Sequence, residues 1–356
     1  MPSKFVRSNV RQMEGYSPGE QPAPGERVVK LNTNENPYPP SPKVMQAVHE
    51  IEPEMLRRYP NPTGDAFRKV AAELFGLSPD MILCGNGSDD ILTIATRTFV
   101  PPGGVLAFPD PTYSLYPVLA KIEEAKTSAV PWGNEWSLPI DELLDTKADA
   151  IYLANPNAPS GTFVPPEQIA TLASKFAGLL LVDEAYCDFA EDNCIDLVGE
   201  FTNVVISRTF SKAYSLAGMR FGYAIAQVEL IHEMMKVKDS YNVDAVSVTA
   251  ATAALQDQEY ARETWERVRT ERARLTSELQ QLGWSVLPSQ ANFILATVPN
   301  GRGKDAYLKL KQQGILVRHW DKPGLADKVR ITIGRAEENN ALLGGIKSLN
   351  LADKAA

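Results

Sequence analysis

The sequence predicts an α/β protein: a large domain with a mostly parallel sheet sandwiched by helices, a smaller α+β C-terminal domain, and an extended N-terminal arm. Three observations predict this. Short apolar runs alternate with amphipathic runs through residues 41–245, the pattern of strands buried on both faces and covered by crossover helices. Near residue 245 the pattern changes to two long helices and then more widely spaced strands. Residues 1–40 are crowded with Pro, Gly and Asn, which interrupt regular elements.

At 356 residues the chain is too long for one small core. It divides into an arm, 1–40, a large domain, 41–245, and a small domain, 246–356. The arm reads either as a floppy tail or as an ordered segment packed on the body or on a partner subunit. Apolar residues at 44% and charged residues at 22% are ordinary for a soluble globular chain. A net charge of -8 and a pI near 5.2 argue against general nucleic-acid binding, which needs a basic footprint.

Cys84, Cys187 and Cys194 are odd in number and irregularly spaced, so they do not form a disulfide framework. His49, His232 and His319 lie far apart without ligand spacing, so no metal site is expected. No G-x-S-x-G elbow supports a serine hydrolase. No run approaches roughly 18 apolar residues, so no membrane span is expected. The opening MPSKFVRSNVRQMEGY lacks the apolar core of a signal peptide. A cytoplasmic location is the expectation.

Along the chain, PKVMQAVHEI and GDAFRKVAAELF read as helices. MILCG is a strand running into GNGSDDILTIATRTF, a Gly-rich turn entering a helix capped by Ser88 or Asp89. VLAFPD, DAIYLANP, LLLVDEAY, NVVISRTF and FGYAIA are strands; TYSLYPVLAKIE and PEQIATLASKF are helices. VSVTAATAAL and EYARETWERVRTERARLTSELQQLG open the second domain as helices. The strands of WSVLPSQANFILATV, GILVRHW and KVRITIG follow, with the helix DAYLKLKQQG among them.

In open α/β sheets ligands sit beyond the carboxyl ends of the strands. GNGSDD, NPNAPSG, VDEAY and SRTFSKAYSLAGMR all fall at such ends. Gly87, Ser88 and Asp89 present a turn and a helix N-terminus suited to a phosphate monoester. Asp183 ends an apolar strand, as a helix cap or as a buried functional acid, and Tyr186 lies three residues on. Lys212 lies between the hydroxyls of Thr209 and Ser211 and the guanidinium of Arg220. In an apolar, Gly-containing setting a lone guanidinium is costly unless it meets an anion. Amine, hydroxyls and Arg together describe an aldehyde cofactor with a phosphate tail.

These motifs resemble those of the fold-type I pyridoxal 5'-phosphate (PLP)-dependent aminotransferases, and within them the histidinol-phosphate aminotransferase family. The match runs almost end to end: GYSPGEQP, KLNTNENPYPPSP, RRYPNP, GNGSDDIL, PTYSLY, VDEAY, SQANFIL, GILVR and VRITIG keep the family's order. The run S-K-x-x-x-L-A-G-x-R is met by Ser211, Lys212, Leu216, Ala217, Gly218 and Arg220.

The resemblance implies that Lys212 carries PLP as a Schiff base and that Asp183 partners the pyridinium nitrogen. It makes Tyr186 a donor to the phenolic oxygen and Tyr113 the stacking ring. Gly87, Ser88, Asp89, Thr209, Ser211 and Arg220 would hold the phosphate. Tyr59 would reach the cofactor phosphate of a neighbouring subunit, making a homodimer with shared sites. The family's N-N-P-T-G is here Asn157-Ala158-Pro159-Ser160-Gly161. Alanine cannot donate, so Asn157 or Tyr186 alone is left for the phenolic oxygen.

Arg330 resembles the arginine that binds substrate carboxylate, with Arg318 as a second, and Tyr16 and Asn292 would line the same pocket. The implied reaction is ping-pong transamination between glutamate and imidazole acetol phosphate, giving histidinol phosphate for histidine biosynthesis. An aromatic amino acid aminotransferase and a threonine-phosphate decarboxylase-like enzyme share this scaffold. A non-catalytic PLP-binding regulatory protein is the reading from another class.

Overall fold

The computed structural model describes residues 4–23 and 25–349. The strands are β1 Val29–Lys30, β2 Ile82–Gly85, β3 Val105–Asp110, β4 Lys126–Pro131, β5 Ala150–Ala154 and β6 Leu179–Asp183. They continue with β7 Val204–Thr209, β8 Gly222–Ala226, β9 Ser285–Val286, β10 Phe293–Thr297, β11 Ile315–Leu316 and β12 Lys328–Thr332.

Seven strands form one sheet in the order β2-β8-β7-β6-β5-β3-β4. The pairs from β7 through β4 are parallel, and β8 runs antiparallel to both of its neighbours. Gly85, Asp110, Ala154, Asp183 and Thr209 therefore end at one edge of the sheet, where Gly222 begins.

Strands β5, β6 and β8 are buried along their whole length. Alternate side chains feed two cores. Leu180, Val182, Val204 and Ile206 face one layer of helices; Leu179, Leu181 and Val205 face the other. Each such side chain contributes roughly 1.5–3 kcal/mol by leaving water. This explains the continuous apolar runs LLLV and NVVI. β4 is an edge strand with mostly exposed residues, which is why KTSAVP gives no strand signal.

The small unit is a three-stranded antiparallel sheet, β12-β10-β9. Helices Gln258–Gln281 and Ala336–Lys347 pack on each other beside it. Helix Ala245–Gln256 packs instead on Pro42–His49 and Asp65–Phe75, siding with the large unit.

The described residues of the arm, 4–23 and 25–40, touch both units. Its short helix Ser8–Gln12 docks where Asn9 Nδ2 donates to the carbonyls of Lys121, at 3.0 Å, and Ile122, at 3.2 Å. Further along, β1 pairs parallel with β11 in register Val29↔Ile315. The segment between them crosses the carboxyl edge of the large sheet.

Candidate active site

A cleft of about 570 Å³ opens at this edge. Its floor is the rim of the large sheet, its roof the arm, and its far wall Arg318, Trp320 and Arg330.

Lys212 sits in the loop after β7. That loop is closed by Phe210 N donating to Phe221 O at 2.9 Å and Leu216 N donating to Phe210 O at 3.0 Å. Ser215 and Arg220 adopt left-handed φ values of 60° and 50°, a strained choice held by surrounding structure. Lys212 Nζ donates to the carbonyl of Thr33 in the roof at 3.0 Å. Burial pulls its pKa down to about 8, which favours the neutral, nucleophilic amine.

Beside it, Arg220 Nη1 donates to Ser211 Oγ at 3.2 Å and Nη2 to Asp89 Oδ2 at 3.4 Å. Ser211 Oγ also accepts from Thr209 Oγ1 at 3.1 Å. The helix beyond begins at Ser88 with Gly87, not Ser88 or Asp89, as its N-cap, and no side chain caps it. Its first amides thus remain for an anion. Two glycines make the cup: a Cβ on Gly87 would lie 2.7 Å from Arg220 Nη2, and one on Gly222 would lie 2.5 Å from Ser88 N.

Asp183 lies on the floor. Tyr116 donates to its Oδ2 at 2.9 Å, while Oδ1 is buried without a partner. Burial pushes this carboxyl up to about 7, against the Tyr116 hydrogen bond. Such a carboxyl calls for a cationic N–H. Tyr113 is held by its hydroxyl on Asp89 Oδ1 at 3.0 Å and packs edge-on against Tyr116 and Tyr16. Tyr186 accepts from Asn34 Nδ2 at 3.0 Å, so its own hydrogen is left to donate. Its ring lies edge-on to Phe293.

On the far wall, Arg330 lies over the rings of Phe293 and Trp320, its Cζ 5.0 and 5.2 Å from their centroids. Nη2 donates to Asn32 O at 3.0 Å, and Nε is buried and unpartnered. Arg318 lies 5.4 Å from the same Trp320 centroid, with long 3.4 Å bonds to Ser17 O and Pro18 O. Desolvation lowers the Arg330 pKa, so an anion there would be strongly welcome.

The structure thus gathers Lys212, Asp183, Tyr186, Ser88, Asp89, Tyr113, Thr209, Ser211, Arg220, Tyr16, Arg318 and Arg330 around one cleft, with Gly87 beneath Arg220. Three residues of the sequence reading stand elsewhere. Asn157 is fully buried. Its Nδ2 donates to Pro111 O at 3.2 Å and Ser160 Oγ at 2.8 Å, so it does not line the cleft. The reason is local: Pro156 and Pro159 have no N–H, and the loop takes its donors from Asn157. Asn292 is also fully buried and acts one layer back, donating to Asn34 O at 2.9 Å. Tyr59 is 81% exposed and stacks on Tyr241 at 4.5 Å, outside this chain's cleft.

Sequence reasoning missed Tyr116, Asn34 and Trp320. All lie inside motifs noted for their resemblance, PTYSLY, NTNEN and the run after GILVR. No residue type there demands a site; only the fold shows what each touches.

PLP fits this donor set. Lys212 would hold it covalently, and the orphan oxygen of Asp183 would take the ring nitrogen's proton as partner. The Gly87–Asp89 turn, Ser211 and Arg220 would take its phosphate. A lysine-centred cleft at the carboxyl edge of such a sheet defines a fold-type I, lysine-anchored group-transfer enzyme.

The family model described as aminotransferase class I and II matches residues 26–346, and the chain belongs to this family. Histidinol-phosphate aminotransferase 1 of Trichormus variabilis is 44% identical over 347 residues, covering 98% of this chain and 99% of its own length. The histidinol-phosphate aminotransferase of Rhodopirellula baltica is 44% identical over 353 residues, covering 97% of each. The crystal structure of histidinol-phosphate aminotransferase from Sinorhizobium meliloti in complex with PLP matches with a TM-score of 0.89. It is 25% identical and covers 98% of this chain and 99% of that one.

Proposed function

We propose that this chain is a PLP-dependent aminotransferase that converts glutamate and imidazole acetol phosphate to 2-oxoglutarate and histidinol phosphate, a step of histidine biosynthesis. The observation that carries the reading is the pairing of Arg318 and Arg330 over Trp320 across the cleft from Lys212. Glutamate presents two carboxylates and the acceptor a phosphate, so one pair of guanidiniums serves both partners in turn. The near full-length likeness to named histidinol-phosphate aminotransferases supports the substrate choice.

PLP bound in this cleft supplies an electron sink for the charge that develops at the substrate α-carbon. The protein's own groups do the rest. Arg330 and Arg318 hold the substrate's anionic ends. Lys212 Nζ, once free, would take the proton at the substrate α-carbon, the role its lowered pKa suits. Asp183 keeps a negative charge at the floor when a cation faces it. Tyr186 donates to the developing negative oxygen, and Asn34 holds its ring in place. Tyr113 would stack on the cofactor ring.

We further read the enzyme as a cytoplasmic homodimer. Among the described residues no helix is long and apolar enough to cross a membrane. The cysteines are free and buried, which accords with a reducing compartment. Exposed Tyr59 supports the shared-site reading, since it has no role in its own cleft.

A single-turnover panel with glutamate, histidinol phosphate, phenylalanine and threonine phosphate tests the assignment. Glutamate and histidinol phosphate are expected to react fastest. Phenylalanine outpacing both would turn the reading to an aromatic aminotransferase. Loss of carbon dioxide from threonine phosphate would turn it to a decarboxylase.

A further inference from the structure

Side chains alternate along β6 and β7, so each site residue has a neighbour pointing into the opposite layer. Asp183 and Thr209 enter the cleft; Glu184 and Arg208 do not. The register Asp183↔Ser207 sets Glu184 opposite Arg208. Glu184 Oε2 accepts from Arg208 Nε at 2.9 Å and Nη2 at 2.7 Å, and the two side chains are 0% and 8% exposed.

The pair is extended on both sides. Arg208 Nη2 donates to Asn193 Oδ1 at 2.8 Å, and Glu184 Oε1 accepts from the amide of Cys194. Cys194 Sγ in turn accepts from Asn155 Nδ2 at 3.9 Å, and Asn155 directly follows β5. Arg208 also lies 5.3 Å from the Phe75 ring centroid. A polar belt therefore runs beneath the site rim and ties the carboxyl ends of β5, β6 and β7.

Stability alone is a weak reason for such a belt. A buried ion pair is often replaced by apolar residues of similar volume without loss. What an apolar pair does not supply is directional registry between two strand ends. A small slip of β6 against β7 would move Asp183 relative to Thr209, the residues facing opposite ends of the cofactor.

We propose that Glu184 and Arg208 are a positioning pair for the reaction: from the far face of the sheet they hold Asp183 and Thr209 at the separation that the ring and phosphate ends of PLP require. This rests on the cofactor reading above. The charge of Glu184 also raises the pKa of Asp183, behind burial and the charge of Asp89.

The test uses the full chain with Glu184→Gln, Arg208→Met and Arg208→Lys. PLP dissociation constant, pH midpoint of the visible cofactor band, thermal midpoint of the cofactor-free protein, KM and kcat are all measured. Glu184→Gln and Arg208→Met are each expected to weaken PLP about tenfold and to move the band's pH midpoint. Arg208→Lys is expected to recover most of both. Variants that melt earlier but keep wild-type PLP affinity and band midpoint would overturn the proposal. Should the Arg208 variants fail to fold, Asn193→Ala removes only the outer bond of the belt. An expected loss of about threefold in PLP affinity then supports the proposal, and no change overturns it. Wild-type protein that never takes up PLP would instead sink the cofactor reading, before any variant is compared.

Discussion

Arg318 and Arg330 exchange both backbone hydrogen bonds, at 3.0 and 2.8 Å, and both guanidiniums lie over the indole of Trp320. Two like charges on neighbouring strands repel. Neutral carbonyls of the arm screen them only partly, so an anion between them recovers the cost. Arg330→Leu is expected to lower kcat/KM for glutamate by about 100-fold or more, mostly through KM, and Arg318→Leu by about tenfold. A loss just as large with an amino donor that carries no anionic group would refute the anion-binding role of both residues.

Asp183 couples catalysis to stability with a definite sign. Its folded pKa of about 7 lies above the ordinary 3.8, so the folded, cofactor-free protein binds this proton more tightly than the unfolded chain. The contribution of this carboxyl to stability therefore falls as pH rises from 3.8 to about 7. Asn has no charge to bury. Above about pH 7, cofactor-free Asp183→Asn should melt higher than wild type, while turnover drops by about 100-fold or more. Melting curves across pH, set beside steady-state rates, check both halves.

Lys212 behaves in the opposite sense. Its folded pKa of about 8 lies below 10.5, so the unfolded chain binds the proton more tightly. This amine's contribution to the stability of the cofactor-free protein should grow between about pH 8 and 10.5, opposite in sign to that of the buried thiols Cys84, Cys187 and Cys194, so it is read as the difference between wild type and Lys212→Ala. Lys212→Ala should abolish that slope, eliminate turnover and leave nothing for borohydride to fix. A Lys212→Ala protein that still turns over would remove the lysine from the chemistry.

Gly222→Ala tests the cup. The added carbon would press on the Ser88 amide at 2.5 Å, and the obstacle is backbone, which yields little. PLP affinity should fall about tenfold or more, with a stability loss of about 1–3 kcal/mol. Equilibrium dialysis against free PLP reads the first, chemical denaturation the second.

Tyr59→Phe tests the proposed sharing of the site between two subunits. Light scattering is expected to show two chains per particle for wild type and variant alike. The variant should release PLP several-fold faster, with the thermal midpoint of the cofactor-free form unchanged. A monomeric wild-type protein would sink this prediction.

The strands that carry the site are legible in the sequence because they are buried on both faces, and burial writes itself as continuous apolar runs. That Lys212, Asp183 and Arg220 line one cleft is legible because each stands at or just beyond the carboxyl end of a buried strand or in the loop that follows it. Legibility fails where a residue's fate depends on distant partners. Asn157 looks available beside Ala158, yet two neighbouring prolines turn its amide inward. β4 escapes notice because an edge strand pairs on one side only. Helix Val228–Val237 follows β8 after the single residue Gln227, so no turn marks its start. Helix Ala336–Lys347 carries Gly344 and Gly345, which mask its helical character. Tyr116 meets Asp183 from 67 positions away, beyond what any local pattern encodes.

The roof Asn32–Asn34 binds its partners at nearly the full span of the chain: Asn34 N bonds Thr332 Oγ1, and Arg330 bonds Asn32 O, each across 298 positions. A chain made from its amino end presents the roof 298 positions before its anchors. The large sheet has all its strands once residue 226 is out, but β1 must wait for β11 and β12. Loop-closure entropy over such a separation makes the roof among the last contacts to form. Lys212 and Asp183 thus belong to a body whose strands are all made by residue 226, while the cleft acquires its lining only once Thr332 is made.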